Sequence, residues 1–447
     1  MSPIDFSAPP RSRKAGHRSR HIAQLSNLPI IGRSVWVARV QQVAAQAPPD
    51  VSFPGPKAFL QVEKWLIPYL RNFFHRNAPY QSYSAGQTGI FKLAAADNGP
   101  LRIAIASDWA TGTMEANRVA NNMKACHPHY TLHLGDVYHM GEAPEIEENC
   151  FGKQRGNYQG VNWPMDCLGS FALMGNHEMY SGGRSYFKTF LPKLGLFDAD
   201  KNVISPQSAS FFCLETDRWV ILGLDTGYHA GGIPAVSDIP LINSIPFLNV
   251  NARFDDIMMR WLKQTLLTLE KKPVLVLTHH QPFSSFEPCF SKPVKQLAEA
   301  GFSDGREFIW LFGHEHRLTI YNRQRLGGSM TAYPRCIGHA GMPVKVTKLT
   351  RPNPDVLYYD PRVHPIDDRD LKTMVGYNGH VVLLFEGEKL TIEYHDIERP
   401  DVLLTETFTP GESGSLQHSI VSVAENALVS GSTPAVPQPN ESSFSAV

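Results

Sequence analysis

The 447-residue sequence lacks an excess of either charge, because 42 Lys and Arg residues balance 42 Asp and Glu residues. Proteins that coat nucleic acid or anionic membranes need surplus positive charge, so no nucleic-acid partner is expected. The sequence also lacks a run of about 20 apolar residues, the length that crosses a bilayer, and we expect no transmembrane segment. The basic residues near the start are not followed by an apolar stretch. We therefore expect no secretion signal and a cytoplasmic location.

Cysteine is scarce and scattered, with six residues and no Cys-x-x-Cys pair. This spacing argues against a disulfide framework and favours reduced thiols, as expected of a cytoplasmic protein. Cys150 and Cys167 flank one segment, and a bridge between them in an oxidising compartment is the alternative.

Both ends of the chain differ in composition from its centre. Residues 1–50 hold seven Arg and Lys residues against two Asp residues, which predicts a basic, disordered arm. Residues 51–94 are predicted to be an N-terminal extension that packs on the core, and residues 95–400 to be the main domain. Residues 401–447 contain no Lys or Arg and become rich in Ser and Pro, so we expect a low-complexity, disordered tail.

Apolar runs of strand length alternate with helical stretches in the main domain, a pattern typical of an α/β fold. The predicted strands are 101–107, 130–135, 170–175, 219–225, 273–280 and 308–314. Apolar residues at helical spacing predict helices over 113–125 and 255–270. The Gly- and Pro-rich segment 227–254 predicts a long irregular loop.

Five of the six predicted strands end in a polar residue or are directly followed by one. These polar residues are Asp108, Asp136, Asn176, His279 and His314, with His316 two residues further on. A ligand site in an open α/β sheet lies beyond the carboxyl ends of the strands, so we expect these side chains to converge. Each alone has an ordinary alternative, such as a helix cap, but five together favour a shared site. Carboxylates, imidazoles and an amide oxygen together suit Mn, Fe or Zn.

Five short motifs occur here in the order of the calcineurin-like metallophosphoesterases, and the sequence resembles that superfamily over about residues 100–320. The motifs are Asp108, Gly135-Asp136, Gly175-Asn176-His177-Glu178, Val276-x-x-His279 and Gly313-His314-Glu315-His316. Within the superfamily, Asp108-Trp109 and the Gly-Asp string resemble the purple acid phosphatase branch most. The resemblance implies an α/β fold, namely a four-layer α/β/β/α sandwich of two facing mixed β-sheets, with two metal ions at the strand ends.

The resemblance also implies a ligand set for these two ions, which would be divalent or mixed-valence Mn, Fe or Zn. Asp136 would bridge them, because two neighbouring cations repel each other and need a shared anionic ligand. The other implied ligands are Asp108 and His316 for the first ion, and Asn176, His279 and His314 for the second.

By the same resemblance, a metal-activated bridging hydroxide would attack the phosphorus of a phosphate monoester or diester. His177 would assist the departing oxygen as a general acid or by stabilising its charge. Glu178 would orient the His177 imidazole, with a helix cap as its alternative role.

Two positions depart from the branch pattern. Residue 110 is Ala, where purple acid phosphatases have Gly and cyclic-nucleotide phosphodiesterases have a metal-binding His. Three residues after Asp136, the branch has the Tyr that ligates ferric iron, whereas this sequence has His139. We therefore expect His139 as the fourth ligand of the first ion and a protein without the purple colour. The alternatives are Tyr138, one residue out of register, and no ligand from this loop.

Two further histidines are expected on the substrate side of the site. His280 directly follows His279 and so points the opposite way on an extended chain, and His339 lies in a Gly-rich loop beyond the last motif. The sequence thus favours a metal-dependent hydrolase, a phosphatase or phosphodiesterase, that acts on a small-molecule phosphate ester. The oligomeric state stays open. A catalytically inactive scaffold of the same fold that binds proteins is the alternative, and a nuclease is disfavoured because no dense basic cluster is present.

Overall fold

The computed structural model describes residues 77–95, 99–154, 159–231, 251–269, 271–327, 329–346, 353–367 and 370–423. The predicted arm at 1–50, most of the extension, the centre of the predicted loop at 227–254 and the last 24 residues lie outside this described part.

Strands dominate the described chain, and they alternate with short helices in its first two thirds. The strands are β1 Ile90–Lys92, β2 Leu101–Ala106, β3 Tyr130–His133, β4 Gly169–Ala172, β5 Gly195–Phe197, β6 Val203–Pro206, β7 Phe212–Glu215, β8 Val220–Gly223, β9 Val274–Thr278, β10 Glu307–Phe312, β11 Leu318–Tyr321, β12 Gln324–Arg325, β13 Thr331–Ile337, β14 Val356–Tyr359, β15 His364–Asp367, β16 Asp370–Val375, β17 Gly379–Glu386, β18 Lys389–Asp396, β19 Leu404–Pro410 and β20 Leu416–Val423. The α-helices are α1 Met114–Ala125, α2 Ala143–Asn149, α3 Asn176–Met179, α4 Asp256–Thr268 and α5 Ser291–Ala300. All six predicted strands and both predicted helices are therefore confirmed within three residues of their ends.

All the strands except β15 and β16, which pair with each other, form two large mixed sheets. The first sheet has the order β20-β19-β18-β17-β2-β3-β4-β5-β6, and the second has the order β1-β7-β8-β9-β10-β13-β11-β14, with β12 on β13. In each sheet the central neighbours are parallel, namely β2, β3 and β4 in the first and β8, β9, β10 and β13 in the second. Parallel strands that are covered on both faces have continuous apolar sequences. For this reason the sequence predicts these strands.

The two sheets face each other across the main hydrophobic core, and helices cover their outer faces. The core between the sheets contains Ile103 and Leu383 from the first sheet and Leu275 and Leu311 from the second. Helix α1 packs on the outer face of the first sheet through residues such as Met123. Helices α4 and α5 cover the second sheet. These layers are the predicted four-layer α/β/β/α sandwich.

The sheet continues past residue 400, where the sequence predicts the start of a disordered tail. Strands β19 and β20 pair along their lengths, and β19 pairs with β18. Glu406 points into the core between the sheets, where it pairs with Arg335 of the other sheet. A strand is recognised by apolar residues at every second position. Here the charged Glu406 takes one of these inward positions, and Thr and Ser residues face outward, so the alternation is hidden. The prediction of disorder is therefore wrong for residues 404–423.

The cysteines and helices agree with two further expectations. All six cysteines lie within the described ranges and all are free, so Cys150 and Cys167 are not bridged. None of the helices in the described part of the chain has the length and apolar character that a membrane span requires.

Candidate metal centre

The carboxyl ends of central strands from both sheets meet at one edge of the sandwich, and this brings the predicted metal ligands together. Seven side chains gather there, and we name them the strand-end cluster: Asp108, Asp136, Tyr138, Asn176, His279, His314 and His316. Oδ2 of Asp136 lies 3.3 Å from Nε2 of His279 and 3.8 Å from Nε2 of His177. One ligand atom each from Asp108, Asp136 and His279 lies within 4.8 Å of the other two. The predicted convergence is thus present in the fold.

The backbone is strained at three of these strand ends. Asp108, Asp136 and His314 have φ angles of 59°, 73° and 65°, in the left-handed region that residues other than glycine rarely adopt. Such conformations cluster at functional sites, where the surrounding structure must hold them in place. Here each one turns the chain sharply at the end of a strand and directs a polar side chain into the cluster.

Glycines before the ligands allow the turns to approach one another. A Cβ atom on Gly175 would collide with the carboxylate of Asp136, and a Cβ on Gly313 would collide with Ser107 and Asp108. Glycine therefore precedes Asn176 and His314 for a steric reason, because a larger residue would not fit between the turns.

Two ligand candidates are held so that one specific atom faces the cluster. Nδ1 of His279 lies 2.8 Å from the carbonyl oxygen of Leu134, so it must donate a hydrogen, and its Nε2 is left facing Asp136. The amide nitrogen of Asn176 donates to the hydroxyl of Tyr180 at 2.8 Å, which turns its Oδ1 toward Nε2 of His279 at 3.2 Å. Histidine ligands of metals are oriented in this way, with the second ring nitrogen bonded to a carbonyl or carboxylate.

The loop after β3 supplies a tyrosine to the cluster. The hydroxyl of Tyr138 lies 2.9 Å from Oδ1 of Asp108, 3.0 Å from Oδ2 of Asp136 and 3.1 Å from Nε2 of His316. A phenol has a single hydrogen, which cannot serve both carboxylates and the imidazole at once. The arrangement therefore suits a cation better than a hydrogen-bond network.

The geometry favours Tyr138 over the expected His139 as the residue that this loop supplies to the cluster. Nδ1 of His139 is buried without a hydrogen-bond partner among the described residues, but the contacts to Asp108, Asp136 and His316 are made by Tyr138. The number of residues after Asp136 favours His139 over Tyr138, but this number does not describe how the backbone turns after Asp136. The turn brings the side chain of the earlier residue into the cluster.

The charges of the cluster also call for a cation. Asp108 and Asp136 are fully buried side by side. Burial alone would raise the pKa of each carboxyl group, but His279 and the other neighbouring histidines together lower both. Burial would likewise lower the pKa of His279, and the two carboxylates raise it to about 10 instead. One protonated imidazole offsets only one of the two carboxylate charges, whereas a divalent cation carries two positive charges.

His177 and Glu178 both lie at the site, but the hydrogen bonds of the two side chains go to other partners. Nδ1 of His177 lies 2.7 Å from the carbonyl oxygen of His139, which fixes the ring. Glu178 instead accepts the backbone N–H groups of Gly175 at 2.9 Å and of Val137 at 3.0 Å. Glu178 therefore ties the Asp136 turn to the Asn176 turn, and a backbone carbonyl orients the imidazole. Sequence reasoning could not identify that carbonyl, because every residue has one.

His280 and His339, which the sequence predicts on the substrate side of the site, are both buried. Each is only 1% exposed. His280 contacts the hydroxyl of Thr226 through Nδ1 at 3.0 Å, and its ring lies 4.5 Å from that of His314. The loop that carries His339 packs behind the Asp108 turn, where the N–H of Ala340 donates to the carbonyl of Ser107 at 3.3 Å. The alternation of side chains along a strand predicts that His280 points away from His279. It does not reveal which residues bury the His280 side chain.

Comparisons with known proteins relate this chain to one family. Residues 101–318 match the family model described as calcineurin-like phosphoesterase. No curated protein sequence matches the chain. Similar solved structures include GAP50, the anchor in the inner membrane complex of Plasmodium, at 12% identity and a TM-score of 0.45, covering 71% of this chain and 91% of that one. PhoD has 9% identity, a TM-score of 0.39 and coverage of 74% and 73%. A dimetal phosphatase from Danio rerio has 10% identity, a TM-score of 0.39 and coverage of 70% and 99%.

Proposed function

We propose that the chain hydrolyses a phosphate monoester or diester with two bound metal ions, since residues 101–318 match the calcineurin-like phosphoesterase family model. The observation that carries the proposal is the orientation of the ligand atoms. Nε2 of His279 faces both Asp136 and Oδ1 of Asn176, because Nδ1 of His279 is bonded to Leu134 and the amide nitrogen of Asn176 to Tyr180. An inactive scaffold has no need for such alignment.

The donor set fits two divalent or mixed-valence ions of Mn, Fe or Zn. Asp136 is central to the cluster and is the proposed shared ligand. The first ion would be held by Asp108, Tyr138 and His316, and the second by Asn176, His279 and His314. When bound, such ions supply positive charge to the phosphate oxygens and lower the pKa of water.

His177 is the proposed proton donor to the leaving oxygen. Because its Nδ1 is bonded to the His139 carbonyl, its Nε2 is the atom that faces the cluster, 3.8 Å from Asp136. A substrate phosphate held there would be within reach of that nitrogen. Burial lowers the pKa of His177, and the dianionic charge of a bound phosphate acts in the opposite direction.

The purple acid phosphatase branch remains part of the proposal. The support is a phenol in the strand-end cluster, since that branch uses a tyrosine to bind ferric iron. The offset differs by one residue, because Tyr138 stands two positions after Asp136. The proposed enzyme therefore has the ligand type of the branch at a shifted position.

Hydrolysis of p-nitrophenyl phosphate and bis-p-nitrophenyl phosphate, with Mn, Zn, Fe or no added metal, tests the proposal. We expect turnover of at least one ester that depends on metal and disappears on chelation. The preferred ester decides between phosphatase and phosphodiesterase.

The Asp136→Asn variant, purified in parallel, measures any contaminating phosphatase. If the wild-type protein hydrolyses neither ester above that background with any metal, the proposal fails and the inactive scaffold is favoured.

A further inference from the structure

A second group of metal-binding side chains lies on the outer face of the first sheet, where α1 ends. Cys126 follows the last residue of α1, and His380 and His395 are directly paired between β17 and β18. Side chains alternate along a strand, and the neighbouring Val381 and Tyr394 face the core between the sheets. The two histidines therefore face the helix layer, where Cys126 lies.

The spacing of these three residues is close to that of a metal site. Sγ of Cys126 lies 3.7 Å from Nε2 of His380, and the two imidazole rings stack with centroids 4.8 Å apart. One ligand atom from each of the three lies within 4.8 Å of the other two. A tetrahedral zinc ion, with bonds of about 2.3 Å to sulfur and about 2.1 Å to nitrogen, separates the two atoms by about 3.6 Å.

The side chains have little other chemistry to perform. His380 is fully buried, and no hydrogen-bond partner for its Nδ1 is found among the described residues.

We propose that Cys126, His380 and His395 bind a divalent cation of the zinc type, with the Glu393 carboxylate as the fourth ligand. Glu393 lies on the same face of β18, and its Oε2 is 3.4 Å from Nε2 of His395. A thiolate, two imidazoles and a carboxylate are all zinc ligands, and four protein ligands make a closed, structural site. The ion links the end of α1 to the β17–β18 hairpin. This site is separate from the strand-end cluster and does not depend on the proposed function.

Cobalt substitution distinguishes the two sites, because the strand-end cluster contains no cysteine. The full-length protein, reduced and freed of metal with a chelator, is titrated with Co²⁺ while the near-ultraviolet thiolate-to-cobalt absorption is recorded. We expect this absorption to saturate at one equivalent of thiolate-bound cobalt per chain. Cys126→Ser should abolish it, and Cys289→Ser, which removes an exposed cysteine elsewhere, should leave it unchanged.

Two further measurements guard against a misfolded variant. His395→Ala keeps the thiol and should weaken cobalt binding at this site by at least about tenfold, as even the loss of a supporting partner does. Zinc analysis should find one equivalent less in Cys126→Ser than in the wild-type protein, while the circular dichroism spectrum is unchanged. Absence of thiolate-to-cobalt absorption in the wild-type protein, or its persistence in Cys126→Ser, would overturn the proposal, and the stacking of the two histidines would then be a packing feature only.

Discussion

The strand-end cluster and the ion pair between the sheets are both buried and charged, yet they are built in opposite ways. In the ion pair, Nε and Nη2 of Arg335 each lie 2.7 Å from a carboxylate oxygen of Glu406. The remaining donors of Arg335 reach the carbonyl oxygens of Tyr321 and Pro334, and Glu406 also accepts from Tyr394 and His418. Every charge there has a partner supplied by the protein.

The strand-end cluster, by contrast, places two carboxylates side by side, and the single hydrogen of the Tyr138 hydroxyl faces an oxygen of each. It also holds three residues with left-handed backbone conformations, a cost that the ion pair does not have. Opposite charges that pair within the protein stabilise one fold, whereas like charges held together on a strained backbone suit a cation from outside. The signs of the neighbouring charges and the backbone strain, rather than burial, thus separate a structural network from a functional site.

Asp136→Asn should produce the largest effect, because it removes the carboxylate that both ions are proposed to share. Asn keeps the shape of the side chain, so the fold should persist. We expect loss of both metal ions and a fall in turnover of about ten-thousandfold, comparable with the loss of a central catalytic group. Metal analysis and ester hydrolysis measure the two effects. Retention of two ions per chain with turnover within tenfold of wild type would contradict the assignment.

Glu406→Ala tests the other half of the comparison. It leaves the guanidinium of Arg335 buried without a counter-charge, which should lower the free energy of unfolding by about 3–5 kcal/mol. Turnover per folded molecule should not change, because the ion pair lies away from the strand-end cluster. Urea unfolding gives the stability. The double variant Arg335→Met with Glu406→Leu is the matched control and should be far more stable than Glu406→Ala, since no charge is left alone.

The same ion pair predicts how stability depends on acid. Burial alone would raise the pKa of Glu406, but Arg335 and the hydrogen bond from His418 lower it to about 2, below the ordinary value of 4.5. A carboxyl group whose folded pKa is depressed stabilises the fold above its unfolded pKa, and this contribution is lost as the pH falls from 4.5 toward 2. Acid unfolding followed by circular dichroism should be less steep in this window for the double variant. Equal steepness would show that other carboxylates dominate.

The sequence was sufficient for the elements near the site and insufficient for those far from it. The strands before Asp108 and His279 are continuous apolar runs that end in a ligand, so both their existence and their convergence could be predicted. Strand β19 carries Glu406 at an inward position, and no sequence pattern reveals a charge whose partner is 71 residues away. The roles of Tyr138 and Glu178 also depend on how the backbone turns, and the number of residues between two positions does not describe a turn.

His177→Ala should reduce turnover by about a hundredfold while both metal ions remain bound, because a proton donor is lost and no ligand is. The reduction should be larger for an alkyl phosphate than for p-nitrophenyl phosphate, whose leaving group departs without a proton. Steady-state kinetics on both esters, with metal analysis, measure this difference. Full activity of the variant on the alkyl phosphate would show that His177 does not donate the proton.

Tyr138→Phe should have the smallest effect and decides which residue of the loop after β3 serves the metal. Removal of one hydroxyl should weaken binding of the first ion by about tenfold, while His139→Ala should leave the affinity unchanged. Reconstitution with Fe³⁺ adds a direct readout, because a tyrosinate ligand gives a visible absorption band and an imidazole does not. We expect the band in wild type and in His139→Ala, and its loss in Tyr138→Phe. The reverse result would mean that the offset along the sequence, rather than the turn seen in the fold, identifies the ligand.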